Sequence, residues 1–325
     1  MLCLAQKRLL GPSPLRSQLR AFRMGKVTPG ESKNILRPML FTGAVGTTCF
    51  LGASIWQYED LRAKMVKRQD FASALLQPRQ KKAGSFRQQV NIWWNSLTEG
   101  QKIFMPILAC NVAVFCAWRV PRMQNFMYKF FSADPLQKSV CWPMMLSTFS
   151  HHSPLHLAAN MFVLHSFCTG AVATLGKEQF VGLYLSSGVV SSLVSHLYKV
   201  STQLHGRSLG ASGAIMAILA YTCYVRPDIQ LSIIFIPQYH FSGDTAIKCL
   251  LLMDTVGMLM RWRFFDHAAH LGGALFGIFW ALTGHKLWMK REPLVTWWHN
   301  LRGVPSKWCG EPVLLGYTYY LNLKW

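Results

Sequence analysis

Acidic side chains are scarce in this sequence: 13 Asp and Glu stand against 34 Lys and Arg in 325 residues, a formal net charge of +21. Charge of either sign is thin, at 14% of residues, where soluble domains carry about 25%. Half the chain (51%) is hydrophobic and gathered in long runs, which argues against a soluble all-helical protein, whose helices would show polar faces. The nine cysteines form no CxxC pair, and Cys49, Cys110, Cys116, Cys168, Cys223 and Cys249 lie in apolar runs. Neither a disulfide framework nor a cysteine zinc site follows. There is no HExxH and no carboxylate cluster beside the histidines, so no metal and no cofactor is expected. Internal repeats and low-complexity tracts are also missing. The basic residues sit at the termini and between apolar runs, a pattern that suits loops beside an anionic lipid bilayer and not a nucleic-acid-binding face.

The first acid is Glu31, preceded by Lys7, Arg8, Arg16, Arg20, Arg23 and Lys26. A segment that is Arg-rich, acid-poor and without a long apolar core has the pattern of a mitochondrial transit peptide, here residues 1–30.

What is present is a series of apolar runs. The first, 38–56, is just long enough to span a bilayer at about 1.5 Å per residue. A basic linker follows at 57–100. Six further runs occupy 103–118, 143–168, 179–198, 209–225, 245–260 and 264–284. The expected fold class is an all-α polytopic membrane protein, one extra helix plus a six-helix core over 101–285. Residues 229–237 (IQLSIIFIP) read as an extended, half-buried loop or as a continuation of the next helix. The tail, 286–325, reads as interfacial or disordered.

Polar residues inside such runs are expensive and point to function. In SHHSPLHLAANMF, His156 and Asn160 lie four apart and share one helix face, and His152 extends the stripe by a turn. Pro154 suits an early helical position. The last run, FFDHAAHLGGALFGIFWALTG, holds Asp266, His267 and His270, then Gly273 and Gly277 at GxxxG spacing. A small-residue face for that pair exists on the helix that starts near Ser212: Gly213, Ala214, Ala217 and Ala220. Contact there would bring His270 to Ser212, the minimum for nucleophilic catalysis. Asp266, four residues before His270, more naturally caps its helix.

Three motifs occur in order in separate runs: HxxxN (His156, Asn160), GxSG (Gly210 to Gly213) and AHxxG (Ala269 to Gly272). The chain resembles the rhomboid family of intramembrane serine proteases, and its mitochondrial branch in particular through IWQYE (55–59), WWN (93–95), LSTFSH (146–151), SLGASGAIM (208–216) and FFDHAAHLGGALFGI (264–278). The resemblance implies Ser212 as nucleophile and His270 as general base. It implies His156 and Asn160 in the oxyanion hole with the Ser212 backbone N–H. Gly210 and His151 would serve substrate approach. Substrates would be single-span transmembrane proteins of the mitochondrial inner membrane, where this multi-pass chain would itself reside. The sequence is silent on the oligomeric state. Two features depart from the family pattern. Met216 stands where bacterial members often place a Tyr against the histidine, so His270 needs another orienting group, and Trp118-Arg119 lies well upstream of the His-rich run. The competing classes are an inactive, client-binding relative and a seven-helix transporter; the intact Ser212 and His270 weigh against the first, and GxSG paired with AHxxG against the second.

Fused to a fluorescent reporter, residues 1–30 should deliver it to mitochondria. A reporter left in the cytosol or entering the secretory pathway would overturn the compartment assignment.

Overall fold

Apolar segments in lipid must satisfy their backbone polar groups internally, and a helix does so within one segment. In the computed structural model, residues 35–74, 84–137, 139–204, 206–233 and 236–303 are described. The expected transit peptide and residues from 304 onward lie outside them. Seven long helices follow the seven apolar runs in order: α1 (Leu36–Ala74), α3 (Glu99–Ala117), α6 (Pro154–Leu175), α7 (Lys177–Thr202), α8 (Ser212–Val225), α9 (Gly243–Leu259) and α10 (His267–Met289). Between and after them lie α2 (Ser85–Ser96), α4 (Gln124–Phe130), α5 (Cys141–Leu146) and α11 (Glu292–Arg302). Among the described residues, four helical stretches are long and apolar enough to cross a bilayer: Leu36–Val66, α3, α6 and α7. The protein is an all-α polytopic membrane protein.

Four boundaries differ from the sequence expectation. Helix α1 continues past Trp56 through the basic stretch, because no Gly or Pro interrupts it before Pro78 and Asp60 pairs with Lys64 at 2.7 Å one turn on. The third run is split. α5 and a short 3-10 turn (Ser147–Phe149) precede α6, which starts at Pro154 with Ser153 Oγ accepting the His156 N–H at 3.1 Å. His152 therefore precedes the helix and does not extend the His156–Asn160 stripe. Residues 230–242 form an antiparallel hairpin, β1 (Gln230–Ile233) and β2 (Ile236–Ser242), in which Leu231 pairs with Phe241. Those two side chains pack toward Ala220 and Cys223 of α8. The tail is helical as far as Arg302 and docks on α1: Glu59 accepts from Trp298 Nε1 at 2.8 Å and Arg302 Nε at 3.0 Å. Tyr58 shares a 2.7 Å hydrogen bond with His299, and Arg291 donates to Gln57 at 2.9 Å.

The core joins α3, α6, α7 and α8 through Phe104, Leu164, Cys168, Phe180, Tyr184, Ile215 and Ile218. Apolar side chains such as Leu252, Leu259, Leu275 and Phe279 face outward. Facing lipid, they need no cover, and helix association rests on close packing in place of the hydrophobic effect. That packing is tightest between α8 and α10. A Cβ on Gly273 would sit 2.0 Å from the Gly213 carbonyl oxygen, and one on Gly277 would sit 2.2 Å from that of Ala217. The two backbones touch along the small-residue face anticipated from the sequence. A groove of about 480 Å³ between α1, α7 and α10, lined by Gly46, Phe50, Gly182 and Phe279, lies apart from this seam.

Gly277→Ala should lower stability by about 1–3 kcal/mol, despite alanine's higher helix propensity, because the added methyl meets backbone that cannot yield. Gly43→Ala, on α1 with nothing within 4 Å of the new Cβ, should be neutral or mildly stabilising. Thermal unfolding in detergent compares the two; equal effects would contradict a backbone-to-backbone seam.

Candidate active site

Helix α8 has 14 residues and a length of about 21 Å, short of the roughly 30 Å hydrocarbon layer. Its first residue is Ser212, and no side chain caps it. The preceding loop is pinned on several sides. Ala133 and Ser208 exchange backbone hydrogen bonds at 2.9 and 2.8 Å, and Gly210 N–H donates to the Ser147 carbonyl at 2.9 Å. His151 is fully buried, and its Nε2 accepts the Ala211 N–H at 3.4 Å, which requires the neutral ring. His151 thus supports the loop from behind and does not line an approach to Ser212.

Gly210 is held at φ +133°, a conformation L side chains rarely adopt. A Cβ there would come within 2.9 Å of the His156 ring and 3.7 Å of Ser212 Oγ. The missing side chain is what lets His156 and Ser212 face one another across the loop. One turn further along α6, Asn160 is buried and its Nδ2 donates to the His156 carbonyl at 2.8 Å. One of the two Asn160 amide hydrogens is therefore committed to its own helix, leaving the other.

The seam between α8 and α10 brings the first turns of both helices together. Ser212 Oγ and His270 Nε2 are 2.9 Å apart, across 58 residues of sequence. Asp266 caps α10, accepting the Ala269 N–H at 3.1 Å. Its second oxygen accepts from Ser195 at 2.5 Å, from Lys199 at 3.0 Å and from Ser208. This carboxylate ties α10 to α7 and to the serine loop, and none of its hydrogen bonds or ion pairs among the described residues is to the His270 ring.

Sequence reasoning missed two groups. Trp118 Nε1 donates to Ser150 Oγ at 2.7 Å and Arg119 donates to the His152 carbonyl at 2.9 Å, so the pair at the end of α3 holds the loop leading into α6. Its distance in sequence hid that contact. Asp254, on α9, lies 2.7 Å from His267 Nδ1 and 3.4 Å from His270 Nδ1. A lone acid inside the apolar run 245–260 was the available signal.

The Rhomboid domain model matches residues 138–287. The chain is 49% identical over 278 residues to the presenilin-associated rhomboid-like protein, mitochondrial, of Bos taurus, covering 85% of this chain and 74% of that protein. This chain belongs to the rhomboid family. The Homo sapiens protein of the same name is 48% identical over 278 residues, with 85% and 73% covered. Rhomboid protein 1, mitochondrial, of Saccharomyces cerevisiae is 32% identical over 183 residues, covering 56% of this chain and 53% of that one. This rhomboid is a mitochondrial multi-pass membrane protein, and residence in the inner membrane fits these relatives and its helices.

In this rhomboid, Asp266→Asn should keep the helix cap yet lower stability by about 1–3 kcal/mol, because the largely buried Lys199 loses its counter-charge. Adding Lys199→Met to Asp266→Asn should cost no more than Asp266→Asn alone. Unfolding in detergent tests this; an Asp266→Asn protein as stable as wild type would remove the ion pair from the argument.

Proposed function

We propose that this rhomboid is an intramembrane serine protease, with Ser212 as nucleophile and His270 as its base, that cleaves single-span transmembrane proteins of the mitochondrial inner membrane. The observation that carries the reading is the 2.9 Å contact between Ser212 Oγ and His270 Nε2. At that distance Nε2 can take the hydroxyl proton as Oγ attacks the scissile carbonyl carbon. The C=O π bond opens and its oxygen becomes an oxyanion. Donors for it are the Ser212 backbone N–H at the uncapped start of α8, the His156 ring and the uncommitted hydrogen of Asn160. His270 then returns its proton to the leaving amine as the C–N bond breaks. Water, deprotonated by the same ring, hydrolyses the acyl-enzyme and frees Ser212.

The domain plan that accompanies this reading is a removable address at 1–30, the extra N-terminal helix α1, a six-helix core at 101–285, and a C-terminal segment at 286–325. Within it we assign His151 and Gly210 to shaping the loop at Ser212. A client-binding relative without activity would have no need of a serine held within bonding distance of a histidine.

Ser212→Ala and His270→Ala should each abolish cleavage of a fluorogenic transmembrane peptide in proteoliposomes, with expression and melting temperature near wild type. Asn160→Ala should slow turnover about ten- to a thousandfold, since other oxyanion donors remain. Wild-type cleavage surviving in Ser212→Ala would end the serine-protease reading, and an unchanged kcat in folded Asn160→Ala would return that residue to packing.

A further inference from the structure

We propose that Asp254 is a positioning residue for His270, so that the site is ordered serine, imidazole, carboxylate across three helices; this rests on the Ser212–His270 reading above. Asp254 is 1% exposed on α9. Among the described residues its only oppositely charged partners are histidines: Oδ1 lies 2.7 Å from His267 Nδ1 and 3.4 Å from His270 Nδ1. Its Oδ2 has no hydrogen-bond partner among those residues.

The two nitrogens of His270 thus face two different groups, Nε2 toward Ser212 at 2.9 Å and Nδ1 toward Asp254 at 3.4 Å. A neutral imidazole carries one N–H, and an ionised carboxylate only accepts. Asp254 therefore favours the proton on Nδ1 and leaves the Nε2 lone pair free for the serine proton. When Nε2 takes that proton, the ring becomes a cation beside a buried anion. The interaction is then stronger in the transition state than before it, which is the condition for accelerating the step. A contact of 3.4 Å is long for a hydrogen bond, and catalytic contacts commonly tighten once substrate is bound.

His267 keeps the carboxylate in place. Its ring lies against α9 at Gly257, where a Cβ would come within 2.6 Å of three ring atoms. The hydrogen bond to His267 anchors Oδ1, and the longer contact faces His270. Met216, four residues after the serine, supplies no aromatic face for His270; the Phe265 ring lies beside it, centroids 6.0 Å apart, and Asp254 is the charged group on its Nδ1 edge.

The test is steady-state cleavage of the fluorogenic peptide by full-length protein in proteoliposomes, with detergent melting as the fold control. Asp254→Asn, nearly isosteric and uncharged, should lose about a hundred- to ten-thousandfold in kcat with KM within about threefold of wild type. His267→Gln, which breaks only the anchor, should lose far less. If Asp254 merely tethers α9 to α10, the two variants should fall equally, and that result, or a kcat for Asp254→Asn within about threefold of wild type, overturns the proposal. Should Asp254→Asn not fold, wild-type protein with nitrogen-15 histidine is read by proton NMR. Two low-field ring N–H resonances, one lost in His270→Ala, support the contact, and a single one overturns it. Absence of cleavage by the wild type would instead remove the protease reading itself.

Discussion

The site depends on two helices touching backbone to backbone. Where Gly273 meets the Gly213 carbonyl and Gly277 meets that of Ala217, no side chain intervenes, and the spacing of α8 and α10 is set by main-chain atoms alone. Main chain is the least adjustable part of a packed protein, so the distance between Ser212 and His270 inherits its stiffness. A displacement of about 1 Å in such a pair can cost roughly a hundredfold in rate. Both reacting residues lie in the first turns of their helices, beside the closest contact, where fraying would otherwise blur their positions.

Polar cross-links finish what the seam begins. The serine loop is half-buried, and backbone groups shielded from water need protein partners. They find them in the Ala133 bridge, the Ser147 carbonyl and the His151 ring. Asp266 joins the same loop to α7 and α10 through Ser208, Ser195 and Lys199. Four separate segments therefore hold one short turn, which leaves its strained glycine nowhere to relax.

Periodicity and small-residue spacing made most of this legible in sequence. The GxxxG pair and its partner face were readable because both are local patterns on single helices. The order of the apolar runs carried the helix order for the same reason. What escaped was set by tertiary contact. The Trp118–Ser150 bond joins residues 32 apart, and nothing in either segment announces the other. The split of the 143–168 run was readable only in part, since Pro154 marked an early helical position but the apolar residues before it looked continuous with it. The start of α6 in turn decided that His152 would stand apart from His156. Asp266 drew attention by its spacing from His270, whereas Asp254, on a different helix, had no spacing to reveal it.

The clasp between α1 and α11 has a consequence for the order of assembly. Tyr58 and His299 are 241 residues apart, and Ser212 and His270 only 58. By polymer reasoning two doublings of loop length add only about 1.2 kcal/mol of closure entropy, so the longer contact is scarcely harder to hold. It is later to form, because His299 is made after His270 and the clasp cannot close before then. The serine–histidine pair can be assembled once α10 has been made, while the clasp waits for α11. Gln57, Tyr58 and Glu59 thereby act as a latch that closes only on a chain translated and inserted through to Arg302.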